Sequence, residues 1–215
     1  MIIYWILLLV TAAIAYVMGS LSTLVLASNY IFHYNLNRFG RGNDWLSNFK
    51  RVYGVKGALE LLLVEAIKDV IPIVIGGILL GIRGHADVGR AFAGFCLIMG
   101  RLRPAFFGVK GSMALMPLLF SAIFADTSLG IAVAVVFLGV LLVIKYVPVA
   151  VLVAALAAAV APLLIVDSKI VMYLMAFSSA AIIIRQIPEL AGVFRGRGEK
   201  ITFKEDLSYK FESKF

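Results

Sequence analysis

The chain has 215 residues and a mean hydropathy of +1.02; 62% of its residues are hydrophobic, 15% are charged, and its net charge is +8. Soluble domains run about 45–50% apolar and about 25% charged, so the composition excludes a soluble globular domain and predicts a chain that lies within a bilayer. A single cysteine, Cys96, excludes an intrachain disulfide framework, and the bases flank apolar runs, which fits anionic lipid, phosphorylated ligands and membrane topology rather than nucleic acid.

In chain order, residues 2–27 form a first apolar run with no basic stretch before it, which predicts an anchoring span rather than a cleaved signal. Residues 29–56 are polar, rich in Gly, Asn and bases, and read as a loop. Residues 57–82 form a second apolar run interrupted by Glu60, Glu65, Lys68 and Asp69. A shorter run covers 88–100, and a basic Pro/Gly loop runs from Arg101 to Ser112. Runs at 113–125 and 128–144 follow, and Lys145-Tyr146 marks a break. The runs at 147–166 and 169–184 complete the series before a charged tail.

These runs lack the alternation of barrel strands, and only helices and closed barrels satisfy the backbone in hydrocarbon. The expected fold is therefore all-α: a polytopic membrane bundle of about seven transmembrane helices. Residues 1–194 would form the membrane domain and 195–215 a charged cytoplasmic tail. The runs at 88–100 and 113–125 are shorter than the ~20 residues a crossing needs, so they need flanking residues or form half-helices. Of the 20 bases, Arg83, Arg90 and Lys169 fall to one side and Lys68 inside a span; all others fall to the opposite side. The positive-inside rule then places the N-terminus outside and the C-terminus in the cytoplasm.

Three stretches carry candidate chemistry. Gly40-Arg41-Gly42-Asn43, followed by Asn48 and Arg51, combines close backbone approach, amide donors and guanidinium groups suited to an oxyanion; an ordinary basic loop has the same composition. Arg101 to Ser112 sets Arg101, Arg103 and Lys110 at the membrane surface, where a phosphate would suit it, and so would topology alone. Glu65, Lys68 and Asp69 share one helical face, and charges at that depth face a bundle interior or a watery cavity. Lys68 is expected to neutralise one carboxylate and leave that face net negative. His33 and His85 lack partners at ligand spacing, so no metal site is expected.

Together these pieces resemble the bacterial acyl-phosphate-dependent glycerol-3-phosphate acyltransferases, the PlsY type, over about residues 12–195. Gly19-Ser20 is similar to the family's opening Gly-Ser. Gly40 to Gly54 resembles Gly-Ser-Gly-Asn-x-Gly-Ala-Thr-Asn-x-x-Arg-x-x-Gly without a gap. Glu65, Lys68 and Pro72 resemble Asp-x-x-Lys-Gly-x-x-Pro. Gly100 to Gly111 resembles the Gly-His-x-x-Pro loop, while Tyr146-Val147 and Arg185 resemble the break before the sixth span and the end of the seventh.

The resemblance implies a seven-helix bundle with an outside N-terminus, multi-pass in the bacterial inner membrane, that moves a fatty acyl group from acyl phosphate to glycerol 3-phosphate at the cytoplasmic face. It implies membrane lipids, acyl phosphate and glycerol 3-phosphate as partners, and neither cofactor nor metal. It implies phosphate binding by Gly42, Asn43, Asn48, Arg51, Lys68, Lys110 and Gly111, with Arg41 and Arg101 expected to substitute for donors the family has and this chain lacks, and transfer without a covalent nucleophile. This sequence departs from the pattern at Arg41, Trp45-Leu46-Ser47, Arg101, Met113, Pro148, Val151, Gln186 and Glu189. Those departures motivate an alternative: a catalytically silent relative that binds an anionic lipid or a protein partner.

Overall fold

The computed structural model describes residues 2–21, 23, 45–105 and 114–197. Among them every regular element is a helix: α1 Ile2–Ser20, α2 Trp45–Gly81, α3 Ala86–Leu102, α4 Leu115–Ala125, α5 Thr127–Ile144, α6 Val147–Val160, the short α7 Pro162–Ile165, and α8 Lys169–Gly192, which continues as a π-helical turn over Val193–Arg197. Setting α7 aside as a continuation of α6, the helices follow the apolar runs of the sequence. Among the described residues, four stretches are long and apolar enough to cross a membrane: Ile2–Ser20, Thr127–Ile144, Val147–Ile165 and Lys169–Arg195.

Two boundaries differ from the sequence expectation. Residues 45–56, read as part of a polar loop, are the first turns of α2, which is 37 residues long. Trp45, Phe49, Val52 and Lys56 recur at helical spacing and no proline intervenes before Pro72, so the helix runs on past the polarity boundary. At the other end, α8 continues through Arg185 and Pro188 to Gly192, beyond the apolar run. The short run at 88–100 gains flanking residues to become the 17-residue α3, whereas α4 has 11 residues.

Turn chemistry sets the corners. Gly84 has φ +78, a conformation that favours glycine, in the tight turn between α2 and α3. The Asp126 carboxylate accepts from the backbone N–H of Ser128 at 2.8 Å and of Leu129 at 3.1 Å, capping α5. Lys145 adopts the left-handed conformation (φ 63) at the end of α5 and turns the chain into α6, where Pro148 suits the first turn.

The helix α3 sits centrally, against α1, α2, α4 and α8; α6 packs on α5 and α8, and α4 on α5. Its glycines make this possible. A Cβ at Gly100 would meet the Tyr16 carbonyl of α1, one at Gly89 the Gly76 carbonyl of α2, and one at Gly94 the Ser121 side chain of α4. Small residues that let backbones approach are what membrane helices use in place of a hydrophobic drive between them. The interior carries Ile73, Leu80, Leu97, Ile98, Leu118, Leu129, Val133, Met175 and Ile182, all essentially inaccessible. The outside is apolar too: Trp5, Leu9, Ile78, Val135, Leu142, Tyr173 and Ile184 are each more than half exposed. A soluble protein rarely exposes contiguous apolar patches beyond a few hundred Å², so this surface is built to face lipid.

Candidate functional site

The ends of α1 and α3 are fastened together before any charge is considered. Gly19 lies against the Leu97 carbonyl and Gly100 against that of Tyr16. The Ser20 hydroxyl donates to the Tyr16 carbonyl at 2.8 Å and reaches the Gly100 carbonyl at 3.4 Å. The Tyr16 hydroxyl donates to the Arg103 carbonyl at 2.9 Å. The close approach of the two backbones sets Arg101 beside α2 at a fixed height.

On α2, Glu65, Lys68 and Asp69 present their side chains to this junction. The Arg101 guanidinium donates through Nη2 to Asp69 Oδ1 at 2.7 Å and pairs through Nη1 with Glu65 Oε1. Lys68 Nζ lies 3.3 Å from the same Glu65 oxygen and 4.0 Å from Asp69 Oδ1, and donates to the Leu21 carbonyl just past α1 at 2.7 Å. The Arg101, Asp69 and Glu65 side chains are 3%, 0% and 6% exposed, while that of Lys68 keeps 11%. Lys68 is thus the member of the cluster nearest to solvent. Four residues on, Pro72 has no N–H to donate to the Lys68 carbonyl, which loses its usual helical partner at this point.

The face of α2 is net negative on its own, and α3 supplies the charge that balances it. Two carboxylates meet two cations, and the second cation comes from a different helix. Buried charges survive in a low-dielectric interior when paired and hydrogen-bonded in this way. The pairing of Arg101 with Asp69 escaped the sequence reading because it joins residues far apart in the chain. The available signal was the unmatched carboxylate itself, which required a cation from elsewhere.

Of the residues expected to bind phosphate, the structure brings Lys68 and Arg101 into one cluster, with the Arg101 Nη atoms taken up by carboxylates. The backbone of Asn48 and Arg51 lies in the first turns of α2, and their side chains lie outside those described. About 25 Å of helix rise separates Arg51 from Lys68, and about 30 Å separates Asn48, at ~1.5 Å per residue. Arg41, Gly42, Asn43, Lys110 and Gly111 lie outside the described residues, as does Met113.

A second polar group joins α8 to the start of α6. Gln186 Nε2 donates to Glu189 Oε2 at 3.1 Å and reaches the Pro148 carbonyl at 3.5 Å, and Arg185 Nη1 lies 3.8 Å from Glu189 Oε1. Gln186 thus links positions 148 and 189, all three of them departures from the pattern of the resemblance. Among the described residues no group of three or more His, Cys, Asp and Glu side chains is arranged to hold a metal ion.

Comparison with known proteins agrees with this architecture. The family model described as glycerol-3-phosphate acyltransferase matches residues 9–196. A glycerol-3-phosphate acyltransferase of Hydrogenovibrio crunogenus is 32% identical over 151 residues, 70% of this chain and 69% of that one. One from a Thermoanaerobacter species is 26% identical over 137 residues, 64% of this chain and 67% of that one. The crystal structure of PlsY (YgiH), an integral membrane glycerol 3-phosphate acyltransferase, in its glycerol 3-phosphate form, superimposes with a TM-score of 0.78 at 22% identity, covering 91% of this chain and 96% of that one. Its lysophosphatidic acid form gives a TM-score of 0.74 at 21% identity, covering 91% and 95%.

Proposed function

The chain belongs to the glycerol-3-phosphate acyltransferase family, and we propose that it transfers a fatty acyl group from acyl phosphate to glycerol 3-phosphate at the cytoplasmic face of a bacterial inner membrane. The observation that carries this reading is the meeting of α1, α2 and α3 at one buried cluster whose least buried member is a lysine, Lys68. A seven-span chain with its N-terminus outside sets this cluster on the cytoplasmic side, the side that also receives Arg103, Lys145 and Arg185. The excess of bases there supports that orientation.

In the proposed reaction a hydroxyl oxygen of glycerol 3-phosphate attacks the acyl carbon. The bond from that carbon to the phosphate oxygen breaks, the hydroxyl proton ends on the departing phosphate, and lysophosphatidate and inorganic phosphate leave. No side chain needs to be acylated; the protein's task is to hold two anions in register and stabilise charge. Lys68 serves one phosphate group at the inner end of the bundle. Arg41, Gly42, Asn43, Lys110 and Gly111 remain candidate phosphate donors from the basic segments that precede and follow Lys68 in the sequence, whereas Asn48 and Arg51, about 25–30 Å along α2 from Lys68, are too far to share its phosphate. Charge-assisted contacts of this type are worth about 1.5–3 kcal/mol each.

The test uses the full chain in detergent micelles with palmitoyl phosphate and radiolabelled glycerol 3-phosphate. Equal amounts of phosphate and labelled lysophosphatidate are expected, and Lys68→Met should reduce both at least about tenfold. A folded protein that releases neither product sinks the reading and leaves the catalytically silent relative in its place.

A further inference from the structure

The cluster holds a cation that the proposed chemistry does not itself require. Arg101 is buried, its two Nη atoms are committed to Glu65 and Asp69, and its Nε has no hydrogen-bond partner. Its rigid fork spans carboxylates one helical turn apart on α2, which a flexible ammonium matches poorly. Glu65 Oε1 is shared between Arg101 and Lys68. Without Arg101, Lys68 would face two buried carboxylates alone. Its N–H groups would then be drawn from the Leu21 carbonyl toward Asp69 Oδ1, now 4.0 Å away. With Arg101 in place, the charge facing Lys68 is one net negative, and the ammonium stays at the more exposed edge.

We infer that Arg101 is a positioning residue: by occupying Glu65 and Asp69 it keeps the Lys68 ammonium at the edge of the cluster, available to a phosphate group, without touching that phosphate itself. This rests on the acyltransfer reading for the identity of the substrate, but the geometry of the cluster stands apart from it. The distinction from direct phosphate binding is sharp. A guanidinium that contacts substrate is not replaced by deleting a carboxylate. One that only balances charge is.

The experiment compares the parent with Arg101→Gln, Arg101→Lys and the double variant Asp69→Asn/Arg101→Gln, each as the full chain in micelles. Glycerol 3-phosphate is followed as KM in turnover and as Kd by titration calorimetry, with the unfolding midpoint as a check on folding. Arg101→Gln should raise KM and Kd about tenfold or more, with a smaller change in kcat. The double variant restores one net negative charge opposite Lys68, and should bring both constants back to within about threefold of the parent. Arg101→Lys should fall between.

A folded double variant that stays as weak as Arg101→Gln overturns the inference in favour of direct contact. Unchanged constants in a folded Arg101→Gln overturn it in favour of a structural role alone. If Arg101→Gln does not fold, the double variant against Arg101→Lys decides: weaker binding by the double variant overturns the inference. Binding without turnover in the parent defeats the acyltransfer reading while leaving the binding comparison intact, and a parent that shows neither defeats both.

Discussion

A methyl group added at Gly100 tests whether the α1–α3 contact holds the site together. The Cβ of Gly100→Ala would stand 3.0 Å from the Tyr16 carbonyl carbon and 3.1 Å from the Ser20 nitrogen, and would press on the Tyr16 oxygen. All three are backbone atoms of α1, so no side chain can rotate out of the way. Ordinary contact begins near 3.4 Å, so α1 must retreat from α3. Overpacking of this kind costs about 1–3 kcal/mol. At about 2–4 °C per kcal/mol for a chain of this size, the unfolding midpoint should fall by about 2–12 °C. The same displacement stretches the 3.4 Å contact between Ser20 Oγ and the Gly100 carbonyl, and draws the Leu21 carbonyl from Lys68 Nζ, now 2.7 Å apart. Turnover should therefore fall at temperatures where the protein remains folded. Thermal unfolding in micelles at a fixed scan rate checks the first effect and phosphate release the second. Gly139→Ala is the control, since nothing lies within 4 Å of a Cβ there, and it should leave the midpoint unchanged or slightly raised. A midpoint for Gly100→Ala within about 1 °C of the Gly139→Ala value would refute the argument that these backbones are in contact.

Asp126→Ala removes the carboxylate that accepts from Ser128 and Leu129, and should cost about 1 kcal/mol in the same unfolding assay. Lys145→Gly relieves a left-handed conformation at a non-glycine residue and should raise the midpoint by the equivalent of about 1 kcal/mol. Lys68→Met leaves one carboxylate of the cluster uncompensated; breaking a buried pair costs about 3–5 kcal/mol, and the 11% exposure of Lys68 sets the expectation near the lower figure. Glu65→Gln added to Lys68→Met restores neutrality and should recover most of that stability, read as the midpoint of the double variant against the single one.

The helical fold and the approximate place of each helix were legible because a bilayer imposes one long apolar run per crossing. Boundaries were less so where polarity and helicity part company. Residues 45–56 are polar yet helical, since helix formation depends on spacing and the absence of proline rather than on burial, and α8 runs past Arg185 for the same reason. At the site, the shared face of Glu65, Lys68 and Asp69 was readable from spacing along one helix. The Arg101–Asp69 pair and the Leu21 carbonyl on Lys68 were not, because each is made across helices whose relative height depends on where glycines let backbones touch. The contacts of Gln186 with Pro148 and Glu189 were hidden likewise: in sequence the three are separate departures from a family pattern, in space Gln186 links the other two.

The cluster also bears on how this part of the chain sits in a membrane. Alone, α2 would carry Glu65, Lys68 and Asp69 into hydrocarbon with one negative charge unmatched, and α3 would carry Arg101 with nothing to meet it. Ionisable groups in that position are costly unless paired or hydrated. Side by side, the two helices cancel each other's charge, and the Ile82–His85 turn with Gly84 at φ +78 keeps them side by side from the start. The Gly76–Gly89 contact sets their separation near the turn, and the Gly100–Tyr16 contact sets α1 on the far end. Lys68 therefore reaches its position as the last of several constraints: the α2–α3 hairpin balances the charge, α1 closes over it with the Leu21 carbonyl, and the remaining exposure of the ammonium is what is left for a ligand. On the proposed reading, a substitution that shifts any of these helices acts on phosphate affinity without touching phosphate.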